Sequence, residues 1–158
     1  MSDGESRAIG ALTAYGLPYA VTRHGRVGSL AEAAAARGVT PADIIKTLVI
    51  RRAEGDYVFV LVPGDREISW PKLRAHLRVN RLSMPDAETA RAATGYERGT
   101  ITPFGSEHSW PVLADVTITG RPISMGAGAH GVAVTVDADA MVAALGAELA
   151  DVTDPVAL

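Results

Sequence analysis

The stretch ISMGAGAHGVAVTV, Ile123–Val136, decides between two folds. Inside it, Gly126–Gly131 reads G-A-G-A-H-G and fits the bare pattern G-x-G-x-x-G of a dinucleotide-binding turn. That pattern holds a pyrophosphate only where a strand feeds the turn and a helix begins inside it. The first amides of the helix then meet the anion. Here Gly131 is followed by VAVTV, an alternating run with three valines, which reads as a strand. A helical pattern starts only at DADAMVAAL, with Asp137 in the cap position. The glycines therefore join two strands, and neither a dinucleotide nor any other cofactor is expected. What remains is a loop that a ligand or a neighbouring backbone can approach closely.

Upstream, the same reading yields an irregular order of elements. SLAEAAAARG is a helix with Ser29 as cap, Glu32 completing a capping box and Gly38 as its stop. TPADII begins a short turn of helix, with Thr40 as cap and Pro41 in the first helical position. KTLVIRRA and YVFVLV, separated by Glu54-Gly55-Asp56, form a β-hairpin. SWPKLRAHL is a short helix from Ser69, VNRLSM a strand, and DAETARAATG a helix from Asp86 to Gly95. A turn-rich segment, YERGTITPFGSEHSWP, leads to the strands VLADVTI and PISM. Helices and strands do not alternate as in βαβ units. The fold class expected is α+β, a mixed, strongly twisted sheet with helices packed around it.

Composition narrows the function classes. Apolar residues make up 47% of the 158 and charged residues 21%, enough for a real core. With no cysteine, disulfides and thiolate zinc sites are excluded. The polar, acidic start MSDGESRAIG is not a signal peptide, and no stretch has the length of a membrane span. A soluble cytoplasmic protein is expected, acting on neither membrane nor DNA. The net charge of −3 is unevenly spread. Residues 1–121 hold all 15 Lys and Arg, and no acid lies between Glu67 and Asp86. Lys72, Arg74, Arg78 and Arg81 fall in that interval. They suit an RNA backbone, or simply a solvated helix face.

Three further features are candidates for chemistry. Lys46 starts the apolar stripe Leu48 and Ile50, which places it at the sheet rim. It either faces a cleft or snorkels to water. Gly99-Thr100-Ile101-Thr102-Pro103 sets a bend whose backbone groups suit a small polar ligand, or an ordinary loop. Of the four histidines, none is spaced as a metal pair, so no metal is expected; His130, inside the glycine loop, is best placed to meet a ligand. No G-x-S-x-G occurs to support a serine nucleophile. Asp115, in an apolar strand, needs a partner if buried, and a structural hydrogen bond fits it best.

Taken in order, DIIKTLVI, YVFVLVPGDREISWPKLRAHL, TGYERGTITPFG, WPVLAD and ISMGAGAHGVAVTV resemble the YbaK/EbsC family, relatives of the editing domain inserted in bacterial prolyl-tRNA synthetases. The resemblance covers roughly residues 20–145 and implies one domain over 1–158. It implies a trans-editing aminoacyl-tRNA deacylase that removes a small amino acid, chiefly from tRNA for proline. The partner implied is the acceptor end of an aminoacyl-tRNA, with an aminoacyl-tRNA synthetase as a further one. By resemblance, Lys46 is the functional lysine, and Gly99, Thr100, Ile101, Thr102 and Pro103 hold the aminoacyl group. Gly126, Gly128 and His130 lie beside that pocket, and Asp115 is an acidic position between them. Where many Cys-tRNA deacylases of the family read SGGRRG, this chain has MGAGAHG, without the basic residues. The alternative is a module that binds an aminoacyl-tRNA or aminoacyl-nucleotide without turning it over.

Overall fold

A computed structural model describes residues 2–156. In chain order the elements are α1 (Asp3–Ala14), β1 (Ala20–Arg23), α2 (Leu30–Arg37), β2 (Ile44–Ala53), β3 (Asp56–Pro63), β4 (Arg66–Ile68), α3 (Trp70–Leu77), α4 (Ala87–Thr94), β5 (Val112–Asp115), β6 (Pro122–Gly126), β7 (Val132–Asp137), α5 (Ala138–Leu145), β8 (Glu148–Ala150) and β9 (Thr153–Pro155). Seven strands form a mixed sheet in the order β1-β7-β6-β2-β3-β5-β8, and β4 pairs with β9 apart from it.

The β2–β3 hairpin is the spine of this sheet. Strand β3 is buried without a break from Tyr57 to Pro63, so both of its faces are covered. On one face Leu61, Ile45 and Met125 pack with Leu12 of α1 and Met141 of α5, and Val49 and Phe59 meet Ala93 of α4. On the other, Val58, Val60 and Val62 pack with Leu73 of α3. The two faces of β2 divide as its alternation requires: Leu48 and Ile50 go with Leu73, and Val49 goes with Ala93.

Ile123–Val136 folds as strand, loop, strand. β6 and β7 pair antiparallel from Pro122↔Asp137 to Gly126↔Ala133, and α5 starts only at Ala138, capped by Asp137. No helix begins inside the glycine loop; the first turn of α1 lies beside it instead, Gly4 against Gly128. One expectation needs correction. VNRLSM is not a strand; its only pairing is the isolated bridge of Ser83 to Arg51. Arg78 ends α3 in the left-handed region at φ 58°, and Asn80 and Arg81 lie exposed; Leu82 packs against the Ile50 cluster, but the segment has no alternating apolar face to extend a ladder. TPADII begins a short turn as expected, with Thr40 as cap and Pro41 first; it is a single 3-10 turn over Pro41–Asp43, and the two isoleucines already belong to β2.

Helix α1 was not anticipated. It buries Glu5, Ala8 and Leu12 at helical spacing under a polar surface. Arg23 of β1 donates to both carboxylate oxygens of the buried Glu5, each at 2.7 Å. That pair ties α1 to the sheet edge beside the glycine loop.

The register leaves one gap that positions the site. β6 meets β2 only at Ile44↔Ser124 and Ile45↔Met125, whereas β2 runs on to Ala53. The next partner on that edge is Ser83, opposite Arg51.

Candidate functional site

A cleft of about 580 Å³ fills this gap, a size usual for small-molecule sites. One wall is the edge of β2 from Ile44 to Val49. The others come from Met84–Ala87 and Ala90, from Arg98, Gly99 and Ile101, and from Gly126 and Arg37. Arg51 exchanges backbone hydrogen bonds with Ser83 at 2.8 and 3.2 Å, so its amide and carbonyl point away from β3. By the two-residue alternation of an antiparallel ladder, those of Thr47 and Val49 point the same way, into the cleft. Thr47 adds a hydroxyl that is buried and has no hydrogen-bond partner among the described residues. Unclaimed donors and acceptors of this kind are costly unless a ligand or water takes them.

The loop Gly99–Pro103 forms part of the facing wall through two of its five residues. Gly99, at φ +89°, and Ile101 line the cleft. Thr100 and Thr102 are buried and turned into the protein. Thr100 donates through N and Oγ1 to Glu97 O, and Thr102 Oγ1 accepts from Phe104 N. Pro103 is not among the lining residues.

The glycine loop separates in the same way. A methyl built on Gly126 would find nothing nearer than Ile101 O at 3.9 Å, which places that Cα at the open wall. Gly128 is not at the cleft. Its φ is +83°, a Cβ there would lie 2.3 Å from Gly4 O of α1, and its amide donates to Thr100 O at 3.0 Å. Gly128 is thus a close backbone approach that braces the loop. His130 is exposed beside Gly99, with Nε2 3.3 Å from Glu97 Oε2, outside the lining.

Lys46 lies at the cleft rim. Its Nζ donates to Arg66 O at 2.8 Å. Burial lowers its pKa from the ordinary lysine value, with Glu67 and Asp65 pulling the other way. Asp115 does not line the cleft; its Oδ2 lies 3.8 Å from Nε of Arg66, the residue whose carbonyl holds Lys46. Asp115 is fully buried and accepts from Thr117 N, Thr117 Oγ1 and Val152 N. Burial alone would raise its pKa; these hydrogen bonds hold it below the usual carboxylate range.

The four basic residues of the acid-free interval do not act as a group. Lys72 is bound to Asp151 and Asp154 at 3.1 and 3.0 Å, and Arg78 is exposed at the end of α3. Arg74 and Arg81 instead join Arg51 and Arg52 around a second cleft of about 750 Å³. Sequence reasoning missed Arg37, Thr47 and Arg98 as cleft residues. Thr47 beside Lys46 carried a signal, since the strand edge offers both of its neighbours. Arg37 carried none, because only the tertiary fold brings α2 to this gap. Among the described residues no three His, Cys, Asp or Glu side chains gather as a metal site, and no helix is long and apolar enough to cross a membrane.

A sequence model of the aminoacyl-tRNA editing domain matches residues 24–144, a span that contains every residue lining the cleft. The chain belongs to this editing-domain family. Its curated relatives include proline–tRNA ligases. That of Pelobacter propionicus is 32% identical over 117 residues, covering 73% of this chain and 20% of the ligase. That of Moorella thermoacetica is 41% identical over 80 residues, covering 51% and 14%. The chain thus spans about a seventh to a fifth of the length of these relatives. A solved structure described as a proposed trans-editing enzyme for prolyl tRNA synthetase shares the fold, with a TM-score of 0.87, 24% identity and coverage of 98% of this chain and 99% of that one.

Proposed function

We propose that this protein hydrolyses the ester of a mischarged aminoacyl-tRNA, acting in trans on tRNA for proline that carries a small amino acid. The observation that carries this reading is the gap between β2 and β6, where an editing-family chain presents unpaired backbone groups of Thr47 and Val49 beside an orphan hydroxyl. The aminoacyl group enters there, against Gly99, Ile101 and Gly126. A water attacks the ester carbonyl and loses its proton to solvent, directly or through the ribose hydroxyl beside the ester, which passes its own proton on. The tetrahedral intermediate then expels the ribose oxygen, which takes up a proton from solvent, and the products are free amino acid and tRNA. Fixed donors aimed at the developing oxyanion are the main aid such a reaction needs. Lys46, partly dry at the rim, supplies a positive charge to it once it leaves the Arg66 carbonyl.

One observation favours a second reading, binding without turnover. Asp86, the sole carboxylate of the lining, is occupied in capping α4, with Oδ1 accepting from Thr89 N at 2.8 Å. No free general base lines the cleft. Deacylation of a panel of tRNAs mischarged with alanine, cysteine, serine or threonine separates the two. The deacylase reading expects turnover well above the uncatalysed rate on at least one. Folded protein that binds a non-hydrolysable aminoacyl-adenosine analogue and hydrolyses none would leave the binding module.

A further inference from the structure

We propose that Arg37 holds the phosphate of the substrate's 3′-terminal nucleotide, an assignment that rests on the aminoacyl-nucleotide reading of the cleft. Arg37 is the last residue of α2, and Gly38 follows it in the left-handed conformation. The chain turns there, and the guanidinium reaches back across the sheet edge into the cleft wall. Nε donates to His24 Nε2 at 3.4 Å, and Nη1 donates to Ser124 Oγ at 3.3 Å. His24 donates through Nδ1 to Gly25 O at 2.9 Å, which leaves its Nε2 as the acceptor. Neither partner of the guanidinium is a carboxylate. Among the described residues Arg37 has no carboxylate partner, and Nη2 has no hydrogen bond.

A guanidinium cannot shed its proton to escape burial. Partial burial opposes its charge, and among the described residues no carboxylate offsets that cost. Lys46 differs, since it has a carbonyl for Nζ and two acids, Glu67 and Asp65, in its field. Arg98 also lines the cleft without an ion pair, but it is exposed and keeps its water. Of the partly buried cations at the cleft, Arg37 is therefore the unbalanced one, and it calls for an anionic ligand. In an aminoacyl ester the amino acid's carboxylate is consumed in the bond. With a small, uncharged side chain, the anion left near the ester is the phosphodiester of the terminal nucleotide. A planar fork with Nη2 free is suited to two phosphate oxygens.

The test is calorimetry with a non-hydrolysable alanyl-amide analogue of adenosine, made with and without a 5′-phosphate. The phosphate is expected to tighten binding to wild-type protein by about tenfold or more. In Arg37→Gln that gain disappears, while affinity for the unphosphorylated analogue stays within about twofold. Arg37→Lys retains part of the gain. Equal wild-type affinity for the two analogues would overturn the proposal, as would an Arg37→Gln loss of the same factor for both. The parent reading fails separately, if wild-type protein hydrolyses no mischarged tRNA. AMP against adenosine then still reads the arginine: a phosphate preference abolished by Arg37→Gln keeps the assignment, and no preference in wild-type protein removes it.

Discussion

Strand β2 carries a cleft at each end, and the two are made of opposite materials. At Ile44–Val49 the walls are largely apolar, and the polar groups are mostly backbone, one hydroxyl and a few cations. At Arg51–Glu54 four arginines surround an open basin. Arg52 there is paired with Asp56, whereas Arg51, Arg74 and Arg81 have no ion pair among the described residues. The bridge from Arg51 to Ser83 divides the two clefts. Thr47 and Arg52 are separated by roughly 17 Å of extended chain, at about 3.3 Å per residue. Under the proposed function the first cleft is where discrimination and reaction take place, because its donors are fixed. The second, on the same proposal, would attract phosphate without reading sequence. A tRNA end laid along β2 would meet them in turn, its esterified ribose in the first and its upstream backbone at the second.

The largest expected effect separates the glycines of the first cleft. Gly128→Val places a branched side chain at φ +83° against the α1 backbone, so the protein should lose about 3 kcal/mol or more of stability and express poorly. Gly126→Val should fold normally and lose turnover by about tenfold or more, because its side chain enters the cleft. Thermal melts beside deacylation rates check the pair. A stable, inactive Gly128→Val would return that glycine to the substrate wall.

Next comes Lys46→Ala. Its stability cost should be roughly 1 kcal/mol, while single-turnover deacylation at saturating tRNA falls by about 100-fold. Lys46→Arg should recover only part of this, since a planar fork does not replace a compact ammonium. A wild-type rate in folded Lys46→Ala would take the lysine out of the reaction and leave the backbone groups to act alone.

The smallest effects lie at the second cleft. Replacing Arg74 and Arg81 together by Ala should reduce the slope of log affinity against log salt by about 2, with little change in the chemical step. Lys72→Ala should leave that slope nearly unchanged, because Asp151 and Asp154 already neutralise the side chain. A larger slope change from Lys72 than from the arginine pair would move the RNA path to the other side of α3.

The contrast between the clefts also accounts for what was legible in the sequence. The hairpin, the capped helices and the strand after Gly131 are local patterns, and a period or a cap residue suffices to read them. Arg74 and Arg81 were legible for the same reason, being near neighbours in an acid-free run. Lys72 was misgrouped with them because its acids lie about 80 residues on, in the β8–β9 region. The first cleft exists only because β6 leaves β2 after two residue pairs, and register of that kind has no local signature. Hence Lys46, Gly99 and Ile101 were legible as candidates, whereas the part of Arg37 was not. The misplacement of Gly128 has the same origin: α1, hidden in a polar opening segment, occupies the space beside it.

The central claim is that the aminoacyl end sits in the β2–β6 gap. Its most direct test is backbone amide NMR of the wild-type protein, titrated with a non-hydrolysable alanyl-amide analogue of adenosine. The account predicts saturable shifts at Thr47, Val49, Gly99, Ile101 and Gly126, with Ala53, Asn80 and Arg81 unmoved. Shifts confined to Ala53, Asn80 and Arg81, with the gap silent, would contradict it.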